Sequence, residues 1–255
     1  MNKQGNTYTF IYSIILVVVV AAILAIVSLS LKPYQDENIE NEKRQNILAF
    51  TAMSLKPAQE KNIAVDKMKQ ILTSVNIPAS ATDAQALYEK YITSMVIDAS
   101  GKAIEGNAFN INISEEINKP EAERALPVFI CTTDNGERKY ILPVYGAGLW
   151  GPIWGYISVD TNGSTIYGSY FAHQGETPGL GAEIEKPDFQ KQFEGKNLFI
   201  DGTFKSIAVE KAGQKPVNGA DYVDAISGGT ITSKGVQSML ERCLSAYQMF
   251  LKSLN

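Results

Sequence analysis

From Asp224 to Val236 the chain reads DAISGGTITSKGV. Four hydroxyl side chains, Ser227, Thr230, Thr232 and Ser233, crowd around the pair Gly228 and Gly229. Glycines leave backbone N–H groups uncovered and cost entropy to order. The run stands directly before an apolar periodicity of helical type: Val236, Leu240, Cys243, Leu244, Tyr247, Leu251 and Leu254. Thr232 or Ser233 is placed to cap that helix. A helix N-terminus offers free N–H donors and partial positive charge, which suits a phosphate. Two readings stay open from these residues alone. One is a cap with a glycine hinge; the other is a phosphate-holding loop with Thr230 within a turn of the terminus. The glycines are not those of a P-loop, because no Lys-Ser/Thr pair follows at the required spacing. That argues against a bound ATP.

Two further segments carry unusual chemistry. Tyr145–Tyr156, YGAGLWGPIWGY, gathers four glycines, a proline and both tryptophans of the chain. It reads either as a tight aromatic turn between strands or as a flat wall for a planar ring system. His173–Ile184, HQGETPGLGAEI, is a Gly/Pro-rich loop after a strand and holds the only histidine. It contains no HExxH and no dinucleotide fingerprint. It offers backbone amides and Glu176 or Thr177 to a ligand.

Composition excludes several classes. The formal net charge is -4, and no basic stripe is available to neutralise phosphates, so no nucleic-acid partner is expected. Cys131 and Cys243 are far apart, and no CxxC or Cys/His cluster exists. A protein-ligated zinc or iron–sulfur centre is therefore not expected, and no metal ligands are assigned. The two thiols are read as buried, with a single disulfide as the alternative.

The elements that must position these segments fall into four spans: a tail (1–9), a transmembrane helix (10–31), a helical neck (32–98) and a globular domain (99–255). Residues 10–31, FIYSIILVVVVAAILAIVSLSL, run for 22 residues without a charge. That length spans a hydrocarbon core of about 30 Å, and it exceeds the apolar region of a cleavable signal. No carboxylate lies in the span, so no sodium site is expected there. Flanking charge does not help: Lys3 lies on one side and Lys32, Lys43 and Arg44 on the other, a count slightly against a periplasmic globular domain. The neck contains an echo at a shift of 24 residues, LKPYQDENIENEKRQNIL (31–48) and LKPAQEKNIAVDKMKQIL (55–72). Pro33 and Pro57 are each placed to open a helix. TDAQALYEKYITSMVI (82–97) has helical spacing, with Thr82 as its N-cap. Beyond residue 126, LPVFICTT and KYILPVYG flank Asn135-Gly136, and WGYISVDT and STIYGSYFAH flank Asn162-Gly163. These are hairpin signals. With NLFI, KSIAVEK and the C-terminal helix they predict an α+β domain with a mainly antiparallel sheet and flanking helices.

Taken together the motifs resemble one family. Asp224, Ser227, Gly228, Gly229 and Thr230 match the D-x-x-S-G-x-T flavinylation signal of FMN-binding domains, with Gly229 where that family usually has alanine. The single anchor, LKPxQ, GLWGPIWG and HxxETPGLG occur in the order seen in the C-type subunits of sodium-translocating NADH:quinone oxidoreductases. The resemblance covers nearly the full length. The duplicated neck is not a recognised feature of that family. The resemblance implies one FMN, placed by a flavin transferase from FAD as a phosphoester on Thr230. It implies Leu149 and Trp150 near the isoalloxazine ring, and Glu176, Thr177, Gly179 and Leu180 along the pocket. Gly228, Gly229 and the Thr230 amide would cradle the phosphate. Asp224 and Ser227 would serve recognition by the transferase or cap the turn. No catalytic residue is implied in this chain. The FMN would relay electrons from an iron–sulfur centre to the flavin of the B-type subunit, among partners of the B, D, E and F types. The domain would lie on the periplasmic side of a bacterial inner membrane, anchored in its lipid. The rivals are the homologous flavoprotein subunit of ferredoxin:NAD oxidoreductase (Rnf-type) complexes and a membrane-tethered binding module without a redox group.

Overall fold

The structure is a computed structural model that describes residues 6–254. One helix, α1, runs Asn6–Thr73 and contains both Pro33 and Pro57. The expectation that each proline opens its own helix is not met. A helix-interior proline removes one hydrogen bond and crowds the preceding turn. Around the two prolines Glu, Lys, Gln, Leu and Ala favour continuation, helped by the i,i+4 pairs Arg44–Glu40 (2.6 Å) and Lys56–Glu60 (3.9 Å). The chain divides after Asn62 into two units. In the first, the apolar side chains from Phe10 to Leu31 are exposed, and the helix is long and apolar enough to cross a membrane.

The second unit begins at Ile63 and is compact. After the end of α1 come α2 (Ala84–Tyr91), β1 (Ile92–Ile97), β2 (Ala103–Ile104) and α3 (Ile113–Glu116). Then follow β3 (Leu126–Thr132), β4 (Arg138–Ala147), β5 (Pro152–Val159) and β6 (Ile166–His173). The rest comprises α4 (Pro187–Gln190), β7 (Phe199–Ile200), β8 (Thr203–Phe204), β9 (Ile207–Glu210), β10 (Asp221–Asp224), α5 (Thr230–Ala246) and α6 (Gln248–Lys252). Six strands form one antiparallel sheet in the order β2-β1-β3-β4-β5-β6. β7 pairs antiparallel with β8, and β9 pairs parallel with β10. The α+β architecture with a mainly antiparallel sheet is the predicted one.

Residues 82–97 differ from expectation. The helix stops at Tyr91; Ile92 is extended (φ -110°, ψ 126°) and the chain continues as β1. Ile92, Thr93, Val96 and Ile97 are β-branched, and pairing with β3 from Ile92↔Cys131 to Ile97↔Leu126 outweighs the helical spacing. Thr82 does not cap α2. Asp83 holds that position without a side-chain cap, its Oδ1 accepting instead from the Ser80 N–H at 2.6 Å.

Period-two alternation divides the core between the two faces of the sheet. Val128, Leu142, Val144 and Ile157 pack on one face with Val236, Met239, Leu240 and Leu244 of α5. Phe129, Ile141 and Tyr156 pack on the other with Ile71, Leu72 and Val75 at and just beyond the end of α1. Helix α5 lies close on β4: a Cβ at Gly146 would stand 2.7 Å from Met239 Cβ. The hydroxyl of Ser158 lies 2.5 Å from the Ser74 carbonyl and 3.1 Å from that of Gly168, holding the residue after α1 against the sheet. Cys131 and Cys243 belong to opposite faces, and both thiols are free and buried. The alternative of a disulfide between them is excluded.

Candidate functional site

The β4–β5 connection is the four-residue turn Gly148–Gly151, closed by the Gly148 N–H donating to the Gly151 carbonyl at 2.8 Å. It lifts Leu149 and Trp150 into solvent, 47% and 68% exposed. The two tryptophans of the motif part here. Trp154 lies in β5, and its Nε1–H donates to Gln70 Oε1 at 3.2 Å.

Residues 174–180 leave the end of β6 and return as a 3-10 turn, Gly181–Glu185. The Thr177 carbonyl accepts from the Leu180 and Ala182 N–H groups, both at 3.1 Å. Gly179 adopts φ +75°, and its N–H donates to Glu183 Oε1 at 3.0 Å. His173 Nδ1 accepts from the Glu176 N–H at 3.1 Å, so the only histidine holds this loop by its unprotonated nitrogen. Glu176 itself is 5% exposed. Its Oε1 accepts from the Trp150 N–H at 2.8 Å and its Oε2 from the Thr232 hydroxyl at 2.5 Å.

The glycine pair turns the chain from β10 into α5. Gly228 has φ +74°, and the Gly229 N–H donates to the Ile226 carbonyl at 3.0 Å. The helix begins at Thr230, earlier than its apolar stripe, with Gly229 as an N-cap that supplies no side chain. Thr232 and Ser233 therefore lie inside the first turn and do not cap it. Thr232 turns to Glu176, and Ser233 Oγ accepts from the Ile226 N–H at 3.1 Å. The helix also breaks at Tyr247 (φ -89°, ψ 1°) before α6.

These three segments enclose a cavity of about 370 Å³. Leu149, Trp150, Glu176, Thr177, Leu180, Gly228, Gly229 and Thr230 line it. Three predicted residues do not: Gly179 and Ser227 are exposed beside it, and Asp224 is exposed at the end of β10, where its N–H donates to Gln192 Oε1 at 2.8 Å. Gly181, Ile231 and Thr232 also line the cavity and were not foreseen. Ile231 alone left a signal, as an apolar residue in the polar first turn of α5. A larger cavity, about 500 Å³, lies by Lys67, Gln70 and Phe129; Tyr145, Trp154, Gly155 and Tyr156 of the aromatic segment line it, but none of the individually predicted site residues does. The smaller one is the candidate site because the hydroxyls, the helix terminus and the glycine turns converge there.

Exposed apolar side chains beside a helix N-terminus without a side-chain cap have the chemistry to take a planar ring with an anionic tail. The FMN-binding domain family matches residues 148–245, which span all three segments. The C-type subunit of the Na(+)-translocating NADH-quinone reductase from Haemophilus ducreyi is 32% identical over 254 residues, covering 93% of this chain and 89% of that protein. Its counterpart from Vibrio vulnificus is 36% identical over 168 residues, covering 59% of this chain and 66% of the relative, just under two thirds of its length. A crystal structure of the C-type subunit from Parabacteroides distasonis superposes with a TM-score of 0.74 at 48% identity, over 79% of this chain and 98% of that one. The chain belongs to the family of C-type subunits of Na(+)-translocating NADH-quinone reductases.

Proposed function

We propose that the chain is the electron-transfer flavoprotein subunit of a sodium-translocating NADH:quinone reductase and carries one FMN as a phosphoester on Thr230. FMN, when bound, supplies electron transfer. The residues present fit it. The cavity is within the usual range for ligand pockets, roughly 300–1,000 Å³. Leu149, Trp150, Leu180 and Ile231 are large apolar side chains exposed around it. Thr177 lines the wall between them, with Gly179 in the same loop. The first N–H groups of α5, with Gly228 and Gly229 before them, are placed for a phosphate. Asp224 and Ser227, outside the cavity, are assigned to recognition by the flavin transferase. The covalent tether makes retention independent of binding affinity.

The observation that carries this reading is the contrast between two threonines. Thr230 is exposed at the head of α5, whereas Thr232 is 1% exposed with its hydroxyl committed to Glu176. Of the two threonines only Thr230 is accessible, and the exposed Ser227 of the motif lies outside the cavity. The chain alone completes no reaction; subunits of the B, D, E and F types would supply the iron–sulfur centre upstream, the second flavin downstream and the NADH and quinone sites. We place the apolar helix in the bacterial inner membrane with the compact unit on the periplasmic side.

Co-expression with a flavin transferase, followed by denaturing electrophoresis, tests the linkage. A fluorescent flavin band is expected for the wild type and for Thr232→Val, and none for Thr230→Val. A dark wild-type band, or a bright Thr230→Val band, sinks the assignment. Co-purification of a quinone-reducing rather than a ferredoxin-reducing module tests the complex.

A further inference from the structure

We propose that Glu176 is the positioning residue of the flavin site: its buried carboxylate clasps the Trp150 turn to the first turn of α5, and its charge sets the reduction potential of the group held between them. This rests on the FMN reading above. Both carboxylate oxygens are acceptors, one from the Trp150 N–H and one from the Thr232 hydroxyl, the role of an ionised carboxylate. The three residues come from the three separate segments that line the cavity.

The surrounding glycines are shaped to this carboxylate. A Cβ on Gly148 would fall inside contact distance of Glu176 Oε1, and a Cβ on Gly181 inside that of Glu176 Oε2 and Thr232 Oγ1. Two motif glycines thus leave room for one side chain, as well as turning the chain. His173 Nδ1 fixes the backbone of the same residue.

The charge is unusual in its company. Glu176 is 5% exposed, yet among the described residues it takes part in no ion pair. Two hydrogen bonds and the N-terminal end of α5 are what offset it. A buried charge without a counter-charge is costly and tends to persist where a site uses it. Fixed negative charge in a cavity wall opposes the arrival of further negative charge there, because the low local dielectric screens it poorly. A redox group in that cavity is therefore harder to reduce than it would be beside a neutral wall.

The decisive variant is Glu176→Gln in the full chain, which keeps the shape and removes the charge: its Oε1 still accepts from the Trp150 N–H, while its NH2 donates to the Thr232 hydroxyl, reversing that bond. Potentiometry on flavin-loaded protein is expected to show a midpoint shifted to more positive values, with Trp150 amide exchange as slow as in the wild type. Thr232→Val, which keeps the charge and loses one hydrogen bond, is expected not to raise the midpoint. An unchanged midpoint in Glu176→Gln overturns the electrostatic role, as does an equal rise in Thr232→Val. The clasp is read without flavin. Trp150 amide exchange is expected to accelerate in Glu176→Ala. Gly148→Ala is expected to destabilise the wild type and to cost less in a Glu176→Ala background. Equal costs in both backgrounds, or unchanged exchange, overturn the clasp. A wild type that takes up no flavin sinks the FMN reading and with it the role in potential, while the exchange and double-mutant measurements still decide the clasp.

Discussion

Thr230, the first residue of α5, is exposed; Thr232, two residues on, is buried with its hydroxyl against Glu176. The four hydroxyls thus part: Ser227 and Thr230 are exposed, of which Thr230 alone lines the cavity, while Thr232 donates to Glu176 and Ser233 accepts from the Ile226 N–H. The neighbouring glycines are equally unequal. Gly228 needs its positive φ, whereas Gly181 needs empty space beside Glu176 and Thr232. Gly181→Ala is expected to lower stability by about 1–3 kcal/mol, the usual range for overpacking, measured as a shift of the urea midpoint at constant slope. The spacing Asp224, Ser227, Thr230 was legible because it is local. The bond from Thr232 to Glu176 was not, because it joins residues 56 apart in the chain. No periodicity or turn signal encodes which of two threonines faces inward at the first turn of a helix.

Elements were legible where a single residue forces the geometry. Gly136 and Gly163 take positive φ (82° and 64°) in the turns predicted for them, and β3 to β6 follow as two hairpins. Residues 92–97 were misread because ITSMVI fits a helical face as well as a strand, and only pairing with β3 decides between them. The two prolines of α1 were misread for a related reason: helix formers on both sides carry the helix through. One buried hydroxyl contributes to the joint between the end of α1 and the sheet, beside the apolar packing and the Trp154–Gln70 bond. Ser158→Ala leaves the Ser74 carbonyl, at a site with no exposed surface, without that partner. It is expected to cost about 1–3 kcal/mol, with amide exchange quickening around Ser74 and Gly168 before the rest of the sheet.

For the molecule as a whole, what matters is where an independently folding unit begins. The neck and globular domain were expected to meet at residue 99, yet the compact unit begins at Ile63. Ile71, Leu72, Val75, Ile92, Val96 and Ile97 are all within the core. Each fully buried aliphatic of this size contributes roughly 1.5–3 kcal/mol, and a whole domain is stable by about 5–15 kcal/mol. A fragment of residues 63–255 is therefore expected to be soluble, with a cooperative thermal transition. One of residues 99–255 is expected to aggregate or to show none, by circular dichroism and light scattering. Equal behaviour of the two would place the boundary later than the packing does.

The separation of Cys131 and Cys243 onto opposite faces of the sheet gives the protein two internal clocks. Neither sulfur meets an alkylating reagent until its own side of the sheet opens. Burial raises both thiols, Cys131 to about 11, so few thiolates form in the folded state at pH 8. Labelling at that pH then counts openings, Cys131 for the face covered by the end of α1 and Cys243 for the face covered by α5. Because α5 also walls the candidate site, filling the cavity is expected to slow labelling at Cys243 and leave Cys131 unchanged. Mass spectrometry of the two cysteine peptides reads both rates in one sample.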